Sequence, residues 1–284
     1  MSIPTEQIIS LIHRYLKTSD TKAWSRFDDA FDWPNLSKSE EIQRLTDVQL
    51  AAVRTSLMIE DHIPGYATEY FRLFPVDDTV PKDAAWRNRN MLHFVFQWCA
   101  EEDRHAHVFE TYLRATGRVD QEDLTREMIH EGAKKYHAPS DHFSLLFTYT
   151  MLQEKATQLY YQMLYRSVEE APVLREVLKR LFQDEARHCS YFSDLVLLDL
   201  RSQGDELVAK IKTALDSFAM PMADLLDNYK RQAITMIRAA RGYDHRSAFS
   251  QLDEIIRRYT ESSARSAAYP LEDFFTAVPN FNPS

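Results

Sequence analysis

Two short segments bring together residue types that bind metal ions. CAEEDRH at 99–105 and FQDEARH at 182–188 share the core [DE]-E-x-R-H, so each holds a glutamate followed three residues later by a histidine: Glu102/His105 and Glu185/His188. On a helix, residues three apart share a face, and a carboxylate beside an imidazole can grip one cation. Met91, Val95, Trp98, Glu102, His105 and Phe109 recur at steps of four and three, and so do Leu174, Leu178, Leu181, Glu185, His188, Phe192 and Leu195. Each pair therefore interrupts an apolar helical stripe. An unpaired carboxylate in such a stripe costs several kcal/mol and calls for a proton, a cation or a metal.

A third pair, Glu127/His130, lies on the stripe Asp123, Glu127, His130, Lys134. That stripe is polar throughout, so it reads as a solvated face and serves as an internal control. Two lone carboxylates fit the apolar set instead. Glu60 follows Val53 and Leu57 at helical spacing, and Glu154 follows Phe143, Phe147 and Met151. Each alone reads as a rim carboxylate. Together with the two Glu-x-x-His pairs, from four helices, they form the ligand set of ferritin-like di-iron or di-manganese carboxylate bundles. Two divalent ions would balance the charge of about −4 on four carboxylates, and imidazole with carboxylate suits iron or manganese.

The elements that must position these residues are helices. The chain has 284 residues with only 5 glycines, and apolar residues recur at three- and four-residue intervals through most of it. The pattern predicts an all-α chain with helices over 5–17, 39–72, 82–116, 121–136, 140–168, 172–202, 205–218, 221–241 and 248–264. Gly117 reads as the glycine just past a helix end and Pro172 as a first helical residue. The proline-bearing segments FDWPNLSKSE and RLFPVDDTVPKD read as connections too short for domain linkers. The expectation is one domain over 1–284: a ferritin-like bundle at about 39–202, with additional flanking helices at about 205–264. The tail YPLEDFFTAVPNFNPS reads as irregular packing or partial disorder.

Composition excludes several classes. A net charge of −9 opposes general nucleic-acid binding, which needs a basic face. No apolar run approaches the roughly 20 residues of a membrane span. The start, MSIPTEQIISLIHRYL, lacks the layout of a secretory or transit signal, so the expected location is cytoplasmic. Two cysteines, Cys99 and Cys189, read as small buried hydrophobes rather than a disulfide framework. There is no G-x-S-x-G elbow, phosphate-cradling glycine loop or Cys-x-x-Cys.

The motifs also carry a family resemblance. WCAEEDRHAHVFETYLRATGRVD resembles the W-T-A-E-E-N-R-H-G and Y-L-x-x-[ST]-G-R-V-D segments of soluble acyl-[acyl-carrier-protein] desaturases. DEARH resembles their D-E-K-R-H, FTYTMLQEKAT their F-x-Y-T-x-x-Q-E-R-A-T, and IEDHIPGY their T-E-E-A-L-P-T-Y. The similarity covers roughly 50–200, and MPMADLLDNY at 220–229 resembles a family M-P-A-H segment.

The resemblance implies that Glu60, Glu102, His105, Glu154, Glu185 and His188 ligate two iron ions (Fe2+/Fe3+). It further implies that Asp184 orients a ligand histidine and that Thr157 is the hydroxyl on the oxygen side. Trp24 would match a tryptophan near a ligand histidine, at a spacing that differs from the family's. Asp103, Ala106, Ala186 and Cys189 depart from the family residues, and Ala106 would narrow a substrate channel running there.

The implied activity is desaturation of a fatty acyl chain held on acyl carrier protein. O2 and electrons from a ferredoxin-like donor would be used to form a cis double bond and water. A homodimer is expected. The acyl channel would use some of Phe94, Met151, Tyr161 and Phe192. Acidic carrier and ferredoxin would dock on basic residues, either Lys179/Arg180 or the run Lys230, Arg231, Arg238, Arg241. The alternatives are another ferritin-like oxidase, a hydroxylase or N-oxygenase, and a non-enzymatic iron-binding bundle.

Overall fold

A computed structural model describes residues 3–215, 218–220 and 222–262. The tail segment singled out above lies outside the described residues. In chain order the helices are α1 (Thr5–Lys22), α2 (Glu40–Arg44), α3 (Asp47–Glu60), α4 (Ile63–Leu73), α5 (Lys82–Ala115), α6 (Gln121–Gly132), α7 (Phe143–Ser167), α8 (Pro172–Gln203), α9 (Asp205–Leu215), α10 (Tyr229–Ala239) and α11 (Ser250–Ser262). Short 3-10 turns span Trp33–Lys38 and His245–Phe249, and no strand occurs among the described residues.

Helices α5 and α8 form the spine. In α5, Met91, Val95 and Phe109 are fully buried, as are Leu174, Leu178, Leu181, Phe192 and Leu195 in α8. Each such side chain stabilises the fold by about 1.5–3 kcal/mol when removed from water. α7 packs most extensively on α8, α3 and α1 pack on α5, α10 covers α3, and α11 lies on α8. Gly117 has a φ of 67° just past the end of α5, where the left-handed turn favours a residue without a side chain. Pro172 is the first residue of α8.

The segment expected as one helix over 39–72 is three. Thr46 and Gln49 form a reciprocal capping box that starts α3 afresh after α2. Pro64, near the start of α4, has no N–H, and its ring would collide with the Glu60 carbonyl if the helix continued. The break therefore leaves Glu60 as the last residue of α3. The helix expected over 221–241 begins only at Tyr229, because Asn228 adopts a left-handed φ of 57° immediately before it.

One buried contact sets the register of the spine. α8 starts after Ala171, which offers no side-chain cap, and Glu41 from α2 takes that role. Its carboxylate accepts from the backbone N–H of Val173 at 2.9 Å and of Leu174 at 3.1 Å, and from the Tyr112 hydroxyl on α5 at 2.8 Å. A carboxylate at a helix N-terminus meets both the free N–H groups and the positive end of the helix dipole.

Candidate metal centre

Four helices deliver six side chains to one point: Glu60 from α3, Glu102 and His105 from α5, Glu154 from α7, and Glu185 and His188 from α8. All six are buried, with exposures of 6% or less. They fall into two overlapping sets whose ligand atoms lie within 4.8 Å of one another: Glu60, Glu102, His105 and Glu185 in one, Glu102, Glu154, Glu185 and His188 in the other. Glu102 and Glu185 belong to both. Nδ1 of His105 lies 3.7 Å from Glu60, 3.4 Å from Glu102 and 3.3 Å from Glu185. Nδ1 of His188 lies 2.8 Å from Glu102, 3.3 Å from Glu154 and 3.6 Å from Glu185.

The donor set fits metal ions. Oε1 of Glu102, Glu154 and Glu185 and Nδ1 of His105 and His188 are buried without a hydrogen-bond partner among the described residues, although they face one another. Such groups are expensive to bury unless something else satisfies them. Burial lifts the Glu60 carboxyl to about 8 and raises that of Glu154 as well, with neighbouring Glu102 and Glu185 adding to both. Burial opposes charge on the His105 ring, yet Asp184, Glu102 and Glu185 raise its pKa above the usual value. Protons and divalent cations compete for such a site, and oxygen and imidazole donors suit iron or manganese.

The far side of each imidazole is also held. Nε2 of His105 lies 3.2 Å from Asp184, and Nε2 of His188 lies 2.8 Å from Glu101. Each acid immediately precedes a cluster glutamate and reaches across to the histidine of the other helix. Arg187 bridges them, 2.6 Å from Asp184 and 3.4 Å from Glu101. An aromatic residue closes each chain. Trp24 Nε1 donates to Asp184 at 2.8 Å with its ring parallel to that of His105 at 6.5 Å, while the Tyr15 hydroxyl donates to Glu101 at 2.7 Å. Glu101 and Tyr15 were not singled out in the sequence. The signal for Glu101 was the repeated core itself, in which Glu101 and Asp184 occupy the same first position.

Other expected residues sit as follows. Thr157 is half-buried one turn after Glu154, and its hydroxyl makes no hydrogen bond among the described residues. The control pair disperses: Glu127 pairs with Arg54, and His130 lies exposed 3.0 Å from Asp227. Phe94, Met151 and Phe192 are fully buried core, while the Tyr161 hydroxyl donates to Glu60. A small cavity instead borders Tyr66, Tyr70, Trp98, Thr150 and Gln153. Lys179 and Arg180 are engaged within the chain, the first with Glu176 at 3.5 Å and the second with Asp28 and Glu176 at 3.1 and 2.9 Å. Lys230, Arg231, Arg238 and Arg241 are exposed, with no ion pair among the described residues.

A family model described as fatty acid desaturase matches residues 13–265. The chain belongs to the fatty acid desaturase family. It is 26% identical over 255 residues to a Mycobacterium tuberculosis protein named as the acyl-[acyl-carrier-protein] desaturase DesA1, covering 86% of this chain and 68% of that protein. It is 30% identical over 171 residues to the Arabidopsis thaliana stearoyl-[acyl-carrier-protein] 9-desaturase 6, covering 58% of this chain and 42% of that protein. The chain thus spans less than half the length of this plant relative. The X-ray structure of DesA2 from Mycobacterium tuberculosis H37Rv superposes with a TM-score of 0.61 at 18% identity, covering 95% of this chain and 98% of that one. The desaturase resemblance read from the motifs therefore stands, and the fold is all-α and ferritin-like. Among the described residues no helix is long and apolar enough to cross a membrane.

Proposed function

We propose that this member of the desaturase family is a cytoplasmic, O2-dependent di-iron acyl-[acyl-carrier-protein] desaturase that introduces a cis double bond into a carrier-bound fatty acyl chain. One observation carries the reading. Two sets of buried ligand atoms, each with one histidine, share Glu102 and Glu185, so these residues would hold two ions. Bound iron would supply the oxidising power, drawn from O2 and from electrons of a ferredoxin-like donor.

In this reading Glu60, Glu102 and Glu185 with His105 hold one ion, and Glu102, Glu154 and Glu185 with His188 hold the other. Asp184 and Glu101 keep each imidazole oriented with Nδ1 toward the carboxylates, because a hydrogen bond on one ring nitrogen fixes the role of the other. Thr157, whose hydroxyl makes no hydrogen bond among the described residues, is the proposed hydroxyl on the oxygen side. The buried aromatic residues around the centre exclude water from the reacting methylenes. α10 provides the docking face for the acidic carrier, since its cations Lys230, Arg231 and Arg238 are exposed and form no ion pair among the described residues. Phe71 and Phe96, both exposed with rings 5.7 Å apart, fit a homodimer contact.

The test is incubation of iron-loaded protein with acyl carrier substrates of several chain lengths, O2 and a ferredoxin reducing system. The expected product is lighter by two hydrogens and holds no new oxygen. A product heavier by one oxygen makes the protein a hydroxylase instead.

A further inference from the structure

A line of tyrosines leads from the metal centre to the surface. The Tyr161 hydroxyl donates to Glu60. Its ring lies 5.5 Å from that of Tyr160, and Tyr160 lies 5.5 Å from Tyr243. Tyr161 and Tyr160 are buried, at 2% and 4% exposure, whereas Tyr243 is half-buried in the turn after α10. The Tyr160 hydroxyl is buried with no hydrogen-bond partner among the described residues, so packing alone does not explain a phenol there. Phenylalanine would fill that space without stranding a polar group.

We propose that Tyr161, Tyr160 and Tyr243 form a one-electron route that drains oxidising equivalents from the centre to the surface when no acyl chain is bound. The inference rests on the reading of the cluster as a redox-active iron site, and the oxidant is the iron centre after reaction with O2. Tyr161 gives one electron to the centre and its phenolic proton to the Glu60 carboxylate, which already accepts its hydrogen bond. One electron then passes from Tyr243 to Tyr161 by way of the Tyr160 ring, and Glu60 returns the proton. Tyr243 releases its own proton to solvent. The net change is one electron from Tyr243 to the centre and one proton from Tyr243 to water. Such a path spares the ligands from oxidation, one of the ways a protein keeps a reactive cofactor from side reactions.

The experiment uses ferrous-loaded full-length protein exposed to O2 without acyl substrate, with a nitroso spin trap present and peptide mass spectrometry as the readout. The wild type should carry the trap mainly on Tyr243. In Tyr160→Phe the adduct on Tyr243 should be lost and appear on Tyr161, and in Tyr161→Phe both should be lost. Iron content, measured on the same samples, should be unchanged in Tyr160→Phe, and adducts in all three proteins are counted per bound iron, because Tyr161→Phe removes a hydrogen bond to the ligand Glu60. A Tyr243 adduct equal in all three proteins overturns the route, as does an iron-loaded wild type that consumes O2 and traps nothing on these tyrosines. A wild type that takes up no iron overturns the metal reading itself, and the route with it.

Discussion

Oε2 of Glu101 lies 2.8 Å from Nε2 of His188, across the interface between α5 and α8, and both side chains are fully buried. The carboxylate holds the ring with its other nitrogen facing Glu102, Glu154 and Glu185. Asp184 does the same for His105 from the opposite helix. Removing either acid leaves its histidine free to rotate and leaves part of the Arg187 charge unpaired. Glu101→Ala and Asp184→Ala are each expected to weaken metal binding by about 10–100-fold. Competition against a chelator of known affinity measures it, and unaltered affinity in both variants would remove these acids from the site.

Glu41 supports the site from a distance by capping α8 and anchoring Tyr112 of α5. Glu41→Ala strands two backbone N–H groups and a buried hydroxyl, and is expected to cost about 2–4 kcal/mol of folding stability. Denaturant unfolding of wild type and variant gives the difference. A loss under about 0.5 kcal/mol, the usual range for a surface change, would contradict the capping role.

The break between α3 and α4 depends on a close fit. A Cβ at Gly65 would stand 2.7 Å from the His62 ring and 3.0 Å from Cβ of Tyr136, and His62 is itself buried. Gly65→Ala is therefore expected to destabilise by about 1–3 kcal/mol through overpacking. His62→Ala in the same chain should restore most of that loss. A double-mutant cycle reads the coupling, and simple additivity of the two changes would sink the explanation.

Much of the site was legible because two opposing demands met in one periodic pattern. Glu102, His105, Glu185 and His188 lie at the same helical spacing as Val95, Phe109, Leu181 and Phe192, so their burial followed from the pattern and their chemistry from their types. The control pair Glu127/His130 was separable for the same reason. The partners on the far side of the rings were harder to see. Glu101 lies one residue before Glu102, where periodicity alone reads a neighbouring helix flank. Its burial depends on α8 packing against that flank. Tyr15 comes from α1, whose approach to α5 is a tertiary event with no local signal. The split of 39–72 was written in Pro64 and in the Thr46/Gln49 capping box, but a continuous apolar period ran through both. The late start of α10 rests on the backbone of Asn228, which periodicity does not report.

Charge placement on α10 gives a kinetic prediction. Arg231→Glu with Arg238→Glu should raise KM for the acyl carrier substrate about tenfold while leaving kcat and metal content unchanged, because only encounter with an acidic partner is weakened. Wild-type rates at low substrate should fall as salt approaches 0.15 M, where the screening length shrinks to about 8 Å. An unchanged KM would move the docking face elsewhere.

Metal stoichiometry of purified variants tests the central claim most directly. Glu102 and Glu185 appear in both ligand sets, whereas Glu60 and Glu154 appear in one each. Elemental analysis of the wild type should give about two irons per chain, and Glu60→Ala or Glu154→Ala about one. Glu102→Ala and Glu185→Ala should lose both ions, while His130→Ala keeps the wild-type content. Equal iron in wild type, Glu102→Ala and Glu185→Ala would contradict the shared-carboxylate centre, as would iron loss in His130→Ala.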